Sequence, residues 1–164
     1  MSKWEIIAVG EINPDWESRA IQRGIMADYS HIAILCTPEI GEPFVFESVG
    51  KGIIKSKLDD VLDYGRAVIR HRFTVPVLNN DFSLGWCHGR LGGRYSLIQY
   101  LGFIFPFMRR FKWIRNGRAF SVCSEFGADF LVDCANLIHD KLNDCDFVSP
   151  TDLVYICQEV YGRG

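Results

Sequence analysis

The sequence lacks an apolar run long enough to cross a bilayer. Its longest candidate, residues 97–108, is shorter than the roughly 18–20 residues that a membrane helix needs, and Gln99, Gly102 and Pro106 interrupt it. The first residues, 1–5, also lack the apolar core of a signal peptide. We therefore expect a cytoplasmic protein, or a phage-encoded one that is carried in the virion or delivered to a host.

Paired cysteines and a strong excess of charge are missing as well. The six cysteines stand at positions 36, 87, 123, 134, 145 and 157, with no CxxC motif and no disulfide-framework spacing. This pattern favours free thiols in a reducing compartment. The formal net charge is only −2, which predicts no general attraction to nucleic acid.

The length of 164 residues and the ordinary share of apolar residues predict one domain, 1–164. Apolar alternation and turn residues predict strands at 4–9, 31–36, 44–49 and 67–75. Helical periodicity predicts helices at 16–23, 57–62, 81–91, 123–142 and 152–160, and the aromatic-rich stretch 95–112 is expected to be helical up to Pro106. Gly50 and Gly52 are expected to break the chain after the second hairpin strand. Together these elements predict an α+β fold.

Two residues in this pattern are of the types used in nucleophilic catalysis. His31 opens a predicted strand, and Cys123 falls in the first turn of a predicted helix, with Ser121 as its expected N-cap. The positive end of a helix favours thiolate over thiol, and its free N–H groups can hold an oxyanion. A thiol so placed and an imidazole on a neighbouring strand are the working parts of a papain-type cysteine hydrolase. Because the histidine precedes the cysteine, the order is permuted relative to papain.

The predicted hairpin brings a carboxylate to the histidine. A loop centred near Glu39 places Glu47 directly opposite His31, and a two-residue shift places it opposite Ala33, diagonal to His31. In either register both side chains share one face of the sheet. A carboxylate there can fix the imidazole tautomer and stabilise the imidazolium.

Structural interpretations of these residues remain open. A lone strand histidine or helix-start cysteine often only packs, and the face that carries Glu47 could simply be solvated. His71 is the alternative base. Tyr29 and Tyr95 are candidate oxyanion or substrate contacts, although buried tyrosines often only pack.

The motifs resemble the YiiX/YaeF-like permuted papain-like hydrolases of the NlpC-type superfamily, which also contains the lecithin:retinol acyltransferase-like proteins. The resemblance is carried by Ser-His-Ile-Ala-Ile-Leu at 30–35, the acid in Phe-Glu-Ser-Val-Gly-Lys-Gly-Ile at 46–53, and Cys-Ser-Glu-Phe at 123–126. Weaker matches are Leu58, Gly-Gly-Arg-Tyr-Ser at 92–96 and Ser-Pro-Thr-Asp-Leu at 149–153.

This resemblance implies a small antiparallel sheet or barrel packed against helices. It also implies a cysteine nucleophile, a histidine base and a polar third residue, which carry over by position to Cys123, His31 and Glu47. The segment between Tyr95 and Cys123 is longer and more apolar than the family pattern, which leaves the substrate pocket undefined.

Two further patterns have weaker functional interpretations. Residues 97–118 join an aromatic apolar stretch to a basic cluster, which suits either membrane-surface contact, a substrate lid, or a core helix that ends in a solvated loop. A zinc site could draw on Cys87, His88, His71 or His139, but their spacing is poor. No metal or other cofactor is expected.

The sequence therefore predicts a cysteine hydrolase that cleaves an amide, with a peptidoglycan peptide among the candidate substrates. One alternative is a lipid acyltransferase or thioesterase with the same triad. Another is a catalytically inactive binding or structural protein of a larger assembly, such as a phage particle. The expected partners are a peptide or lipid acyl substrate.

Overall fold

The structure is a computed structural model and describes residues 1–62, 65–94, 122–142 and 148–162. The strands are β1 (Lys3–Glu11), β2 (His31–Thr37), β3 (Phe44–Val49), β4 (Gly52–Lys57) and β5 (Ala67–Val75). The α-helices are α1 (Trp16–Ile25), α2 (Leu58–Val61), α3 (Asn80–Gly89), α4 (Cys123–Ala135) and α5 (Pro150–Tyr161), and a 3-10 turn spans Asp140–Leu142.

The five strands form one antiparallel sheet in the order β4-β3-β2-β1-β5. The predicted α+β class is confirmed, with the strands at 44–49 and 67–75 placed as expected. In the described part of the chain, β4 and β5 are the two edges of the sheet.

The two faces of the sheet are buried by different partners. Along β2, Ile32 and Ile34 face the larger core, where they meet the apolar side chains of α4 and α5. The intervening Ala33 and Leu35 face a smaller cluster that includes residues of α2. This alternation follows the pleat and explains why β2 is almost continuously apolar.

Strand β3 ends at Val49 and a turn follows at 50–51, as predicted, but Gly52 then begins a further strand, β4, that the sequence analysis did not predict. Gly52 has φ +110°, and a Cβ there would lie 2.4 Å from the carbonyl oxygen of Gly93. Only glycine suits both constraints. Next to it, Ile53 exchanges backbone hydrogen bonds of 2.9 Å with Gly92 and Gly93, so residues 92–93 cover part of the β4 edge.

The predicted helix at 123–142 is too long, because α4 ends at Ala135. Asn136 adopts a left-handed conformation (φ 52°), and Leu137 N–H then bonds the carbonyl oxygen of Leu131 at 3.0 Å. Asparagine tolerates this helix-ending geometry better than most residues. The apolar stripe therefore stops early, and Ile138 is 86% exposed.

The predicted helix at 95–112 and the proposed membrane or lid segment at 97–118 lie outside the described residues. Within the described ranges, no helix is long and apolar enough to span a membrane.

A buried carboxylate ties β1 to the edge strand β5. Glu5 is 1% exposed and accepts two hydrogen bonds from the Arg72 guanidinium, at 2.8 and 2.6 Å, while Lys3 Nζ lies 2.8 Å away. Burial alone would raise the pKa of Glu5, but the hydrogen bonds from Arg72 and Lys3 hold that pKa below its ordinary 4.5.

Replacing Arg72 with alanine should destabilise the protein by about 1–2 kcal/mol, because it leaves a buried carboxylate with one exposed cation. The loss is smaller than for a fully buried pair because the Arg72 side chain is 47% exposed. Since the folded pKa of Glu5 is depressed, the loss should be full above pH 5 and should shrink as the pH falls through that pKa. Urea unfolding between pH 3 and 7 measures both effects.

The control is Arg70→Ala on the same strand, whose partner Asp28 is well exposed and 3.4 Å away. It should change the free energy of unfolding by no more than about 0.5 kcal/mol. Equal losses for the two variants, or a loss at Arg72 that does not depend on pH, would contradict the assigned role of Glu5.

Candidate active site

The site is built on the hairpin formed by β2 and β3. The observed register pairs Ala33 with Glu47, so the directly opposed alternative is wrong and the two-residue shift is confirmed. Glu47 is therefore diagonal to His31, the first residue of β2, on the same face. His31 Nε2 donates to Glu47 Oε2 at 2.8 Å, because the ionised carboxylate can only accept.

Ser56 of β4 fixes the other carboxylate oxygen. Its hydroxyl donates to Glu47 Oε1 at 2.6 Å, so both oxygens of Glu47 have partners. Sequence analysis missed this residue because it did not predict β4. The alternation of half-buried Ile54 and Ser56 with exposed Lys55 and Lys57 would have been the available signal.

Cys123 occupies the first position of α4. Val122, not the predicted Ser121, precedes the helix, and its N–H bonds the Glu125 carboxylate at 3.3 Å. Ser121 itself lies outside the described residues. The N-terminal turn is anchored by Ser124, whose hydroxyl donates to the carbonyl oxygen of Val148 at 2.7 Å.

Gly127 lets α4 approach the sheet closely enough to bring the thiol to β2. A Cβ at this position would lie 2.8 Å from Leu153 Cδ2 and 3.2 Å from Ile32 Cγ2. An added Cβ would force the Leu153 and Ile32 side chains to shift or the helix to move away from the strand that carries His31.

The structure brings the two sequence-distant segments together. The Cys123 sulfur is hydrogen-bonded to His31 and receives the backbone N–H groups of Ile32 and Ser124. Because Nε2 of His31 is taken by Glu47, Nδ1 is the nitrogen left for the thiol. The order is sulfur, imidazole, carboxylate, as a nucleophile, its base and the orienting group require.

Electrostatics favour the ion-pair form of this site. Burial opposes charge on His31, but hydrogen bonds to Cys123 and Glu47 outweigh it and raise the pKa of His31 to about 10. Burial likewise opposes the thiolate, yet the hydrogen bonds from His31 and from backbone N–H groups lower the pKa of Cys123. The pKa of Glu47 also lies below its ordinary 4.5, since the His31 hydrogen bond outweighs burial.

The other described cysteines behave in the opposite way. Burial raises the pKa of the thiols of Cys36, Cys87, Cys134 and Cys157, to about 11 for Cys36 and Cys134 and to about 12 for Cys157. Cys145 lies outside the described residues. Cys123 thus combines a lowered pKa with a partner base that is reachable, since the His31 side chain is 23% exposed.

The remaining sequence candidates lie elsewhere or are not described. Tyr29 is buried, shares a hydrogen bond with Thr151 of α5 and packs edge-on against His71, so its contacts point toward α5. His71 lies on β5 and stacks on Phe73, two strands away from β2. Tyr95 falls outside the described residues.

No group of three or more His, Cys, Asp or Glu side chains suited to a metal ion occurs among the described residues. No model of a known protein family and no curated protein matches the sequence. A functional assignment therefore depends on the chemistry of the site itself.

A neutral alkylating reagent at pH 7 should label Cys123 at least about tenfold faster than any other cysteine, because among the described cysteines Cys123 alone has a lowered pKa. Peptide mapping by mass spectrometry over a time course measures this preference. His31→Ala should slow labelling of Cys123 and move its pH midpoint toward or above the ordinary 9.0. Uniform labelling of all six cysteines would show that the thiol is not activated.

Ser56→Ala should slow the labelling of Cys123 by about three- to tenfold, because Glu47 loses the hydroxyl that holds its second oxygen. Ser56→Thr keeps that hydroxyl and should retain most of the rate. Urea unfolding of both variants separates this positioning effect from a loss of stability. A slow Thr variant with unchanged stability would argue against the hydrogen bond as the cause.

Proposed function

We propose that this protein is a cysteine hydrolase that cleaves an amide bond through an acyl-enzyme, on a circularly permuted papain-like fold of the NlpC type. The observation that supports this most is the continuous chain of hydrogen bonds from Cys123 through His31 to Glu47. A peptide, including a peptidoglycan peptide, is the proposed substrate class.

In the first half of the reaction the Cys123 thiolate attacks the carbonyl carbon of the substrate. The resulting oxyanion forms beside the helix N-terminus, where the backbone N–H of Cys123 is positioned to stabilise it. The His31 imidazolium then gives its proton to the leaving amine as the carbon–nitrogen bond breaks. The products are the free amine and a thioester on Cys123.

In the second half His31, now neutral, takes a proton from water as the water attacks the thioester. The carbon–sulfur bond breaks, the acid leaves, and Cys123 and His31 return to the ion pair. Glu47 keeps the ring oriented throughout and stabilises its charged form, held in turn by Ser56.

Cys123→Ala should abolish the formation of an acyl-enzyme. In the wild type, p-nitrophenyl acetate should give a burst of nitrophenolate and an acetyl group that mass spectrometry finds on Cys123 and that hydrolysis then removes. Hydrolysis of a muropeptide panel, followed by chromatography, should fall by roughly 10²–10⁴-fold in His31→Ala and by less in Glu47→Gln. A stable acetyl group on another residue, or unchanged turnover in Cys123→Ala, would refute the mechanism.

The rate of amide cleavage should be bell-shaped in pH. The acid limb should lie below 9.0, the ordinary pKa of the thiol, because Cys123 is deprotonated early. The alkaline limb should lie near pH 10, where His31 loses the proton that the leaving amine needs. Initial rates between pH 5 and 11 measure both limbs, and an alkaline limb near pH 7 would show an imidazole without this partner network.

A further inference from the structure

A cleft of about 700 Å³ opens between α1 and α5, outside the group formed by Cys123, His31 and Glu47. Its lining includes Arg19, Arg23, Tyr29, His71, Thr151 and Tyr155. Tyr29 and His71 form its inner wall, and the two helices form its sides. The mechanism described above uses none of these residues.

The strand registers place this cleft close to the nucleophile. His71 of β5 pairs with Ala8 of β1, and Ala8 pairs with Ile32 of β2. Ile32 supplies the backbone N–H that bonds the Cys123 sulfur. Two strand spacings are roughly 10 Å, so the backbone of His71, in the inner wall of the cleft, lies about that far from the backbone of Ile32, which contacts the thiol. Tyr29 also lines the cleft only two residues before the base.

The charge of the cleft is positive. Arg19 and Arg23 stand one helical turn apart on α1, and the described residues give neither of them a carboxylate partner. Arg19 Nε donates to the carbonyl oxygen of Pro14 at 2.7 Å, and no described side chain is bonded to its two terminal nitrogens, which can therefore donate to a ligand.

The acids nearest this cleft already have cationic partners. Asp28, in the lining, pairs with Arg70 at 3.4 Å, and Asp152 of α5 pairs with Lys141 at 3.1 Å. Among the described residues, no carboxylate is paired with either of the two α1 guanidinium groups. Guanidinium forks of this kind are suited to carboxylate and phosphate oxygens.

The opposite side of the cleft, formed by α5, mixes apolar and polar side chains. Val154 and Tyr155 line it together with Thr151 and Gln158, and Met26, which follows α1, lines the arginine side and is 91% exposed. A ligand that joins an anion to an apolar or aliphatic group would contact the arginines with the anion and the α5 side chains with the apolar group.

We propose that this cleft is the substrate subsite that binds a carboxylate or phosphate group, carried about 10 Å from the carbonyl that Cys123 attacks. Arg19 and Arg23 hold the anion, and the α5 side packs against the linking chain. The inference rests on the proposed function, since it names the kind of substrate that the same nucleophile would cleave. A peptide supplies the anion as a carboxylate, and a lipid headgroup supplies it as a phosphate.

The test uses three alkylating probes with the same chloroacetamide warhead and a spacer of about 10 Å, which end in a carboxylate, a phosphate or a primary amide. The readout is the ratio of the Cys123 labelling rate with each anionic probe to the rate with the amide probe. In the wild type this ratio should be about ten or more at low salt, and it should fall as salt is added. A larger ratio for phosphate than for carboxylate indicates a lipid source, and the reverse indicates a peptide.

Arg19→Gln and Arg23→Gln should each lower the ratio, and the double variant should bring it close to one. Both side chains are exposed on α1, so the variants are expected to fold. Lys57→Gln removes the same charge from the opposite end of the sheet and should keep the wild-type ratio. A wild-type ratio near one, or a ratio that survives in the double variant, would overturn the subsite and leave the hydrolase proposal standing.

Failure of the hydrolase proposal would look different. The amide probe would then label Cys123 no faster than the other cysteines. In that case, Cys123→Ser is titrated with the unreactive acetamide analogues of the three probes, and binding is followed by calorimetry. This measurement tests anion binding in the cleft independently of the thiol. Anion binding that disappears in the Arg19/Arg23 double variant supports the site, and equal or absent binding of the anionic and neutral analogues overturns it.

Discussion

The hydrogen bond between His31 and Glu47 controls the state of every other group in the candidate site. With Nε2 committed to the carboxylate at 2.8 Å, the ring has one orientation and one remaining nitrogen for the sulfur. The same carboxylate stabilises the charged imidazole in a largely buried place, and the charged imidazole in turn stabilises the thiolate. The three residues therefore titrate as a unit, and none of their properties belongs to one side chain alone.

This arrangement requires two geometric conditions to be met at once. The hairpin register must put the acid diagonal to the base, and α4 must stand close enough to β2 for its first residue to reach the end of that strand. Gly127 permits the second condition because it removes the side chain that would separate the helix from Ile32. The contact between Cys123 and His31 is therefore supported by the small size of Gly127, one helical turn after Cys123.

Local patterns predicted the pieces of this site better than their assembly. The apolar run of β2, the placement of β3 and the start of α4 follow from periodicity and turn residues, and so the candidate triad could be named from sequence. Ser56 could not, because β4 begins at a glycine, Gly52, whose close approach to Gly93 is a tertiary feature. The end of α4 was missed for a related reason: Asn136 looks compatible with a helix until its left-handed backbone is seen.

The coverage of β4 by residues 92–93 also bears on how copies of this protein meet. An outer strand with unpaired backbone groups is a template for another chain, and sheet proteins avoid this by blocking or charging such strands. Here the N–H of Ile53 is hydrogen-bonded to Gly93 and its carbonyl to Gly92, while Lys55 and Lys57 add positive charge further along the strand. The protein therefore discourages intermolecular strand addition at this border, on the side of the sheet that also carries Glu47 and Ser56.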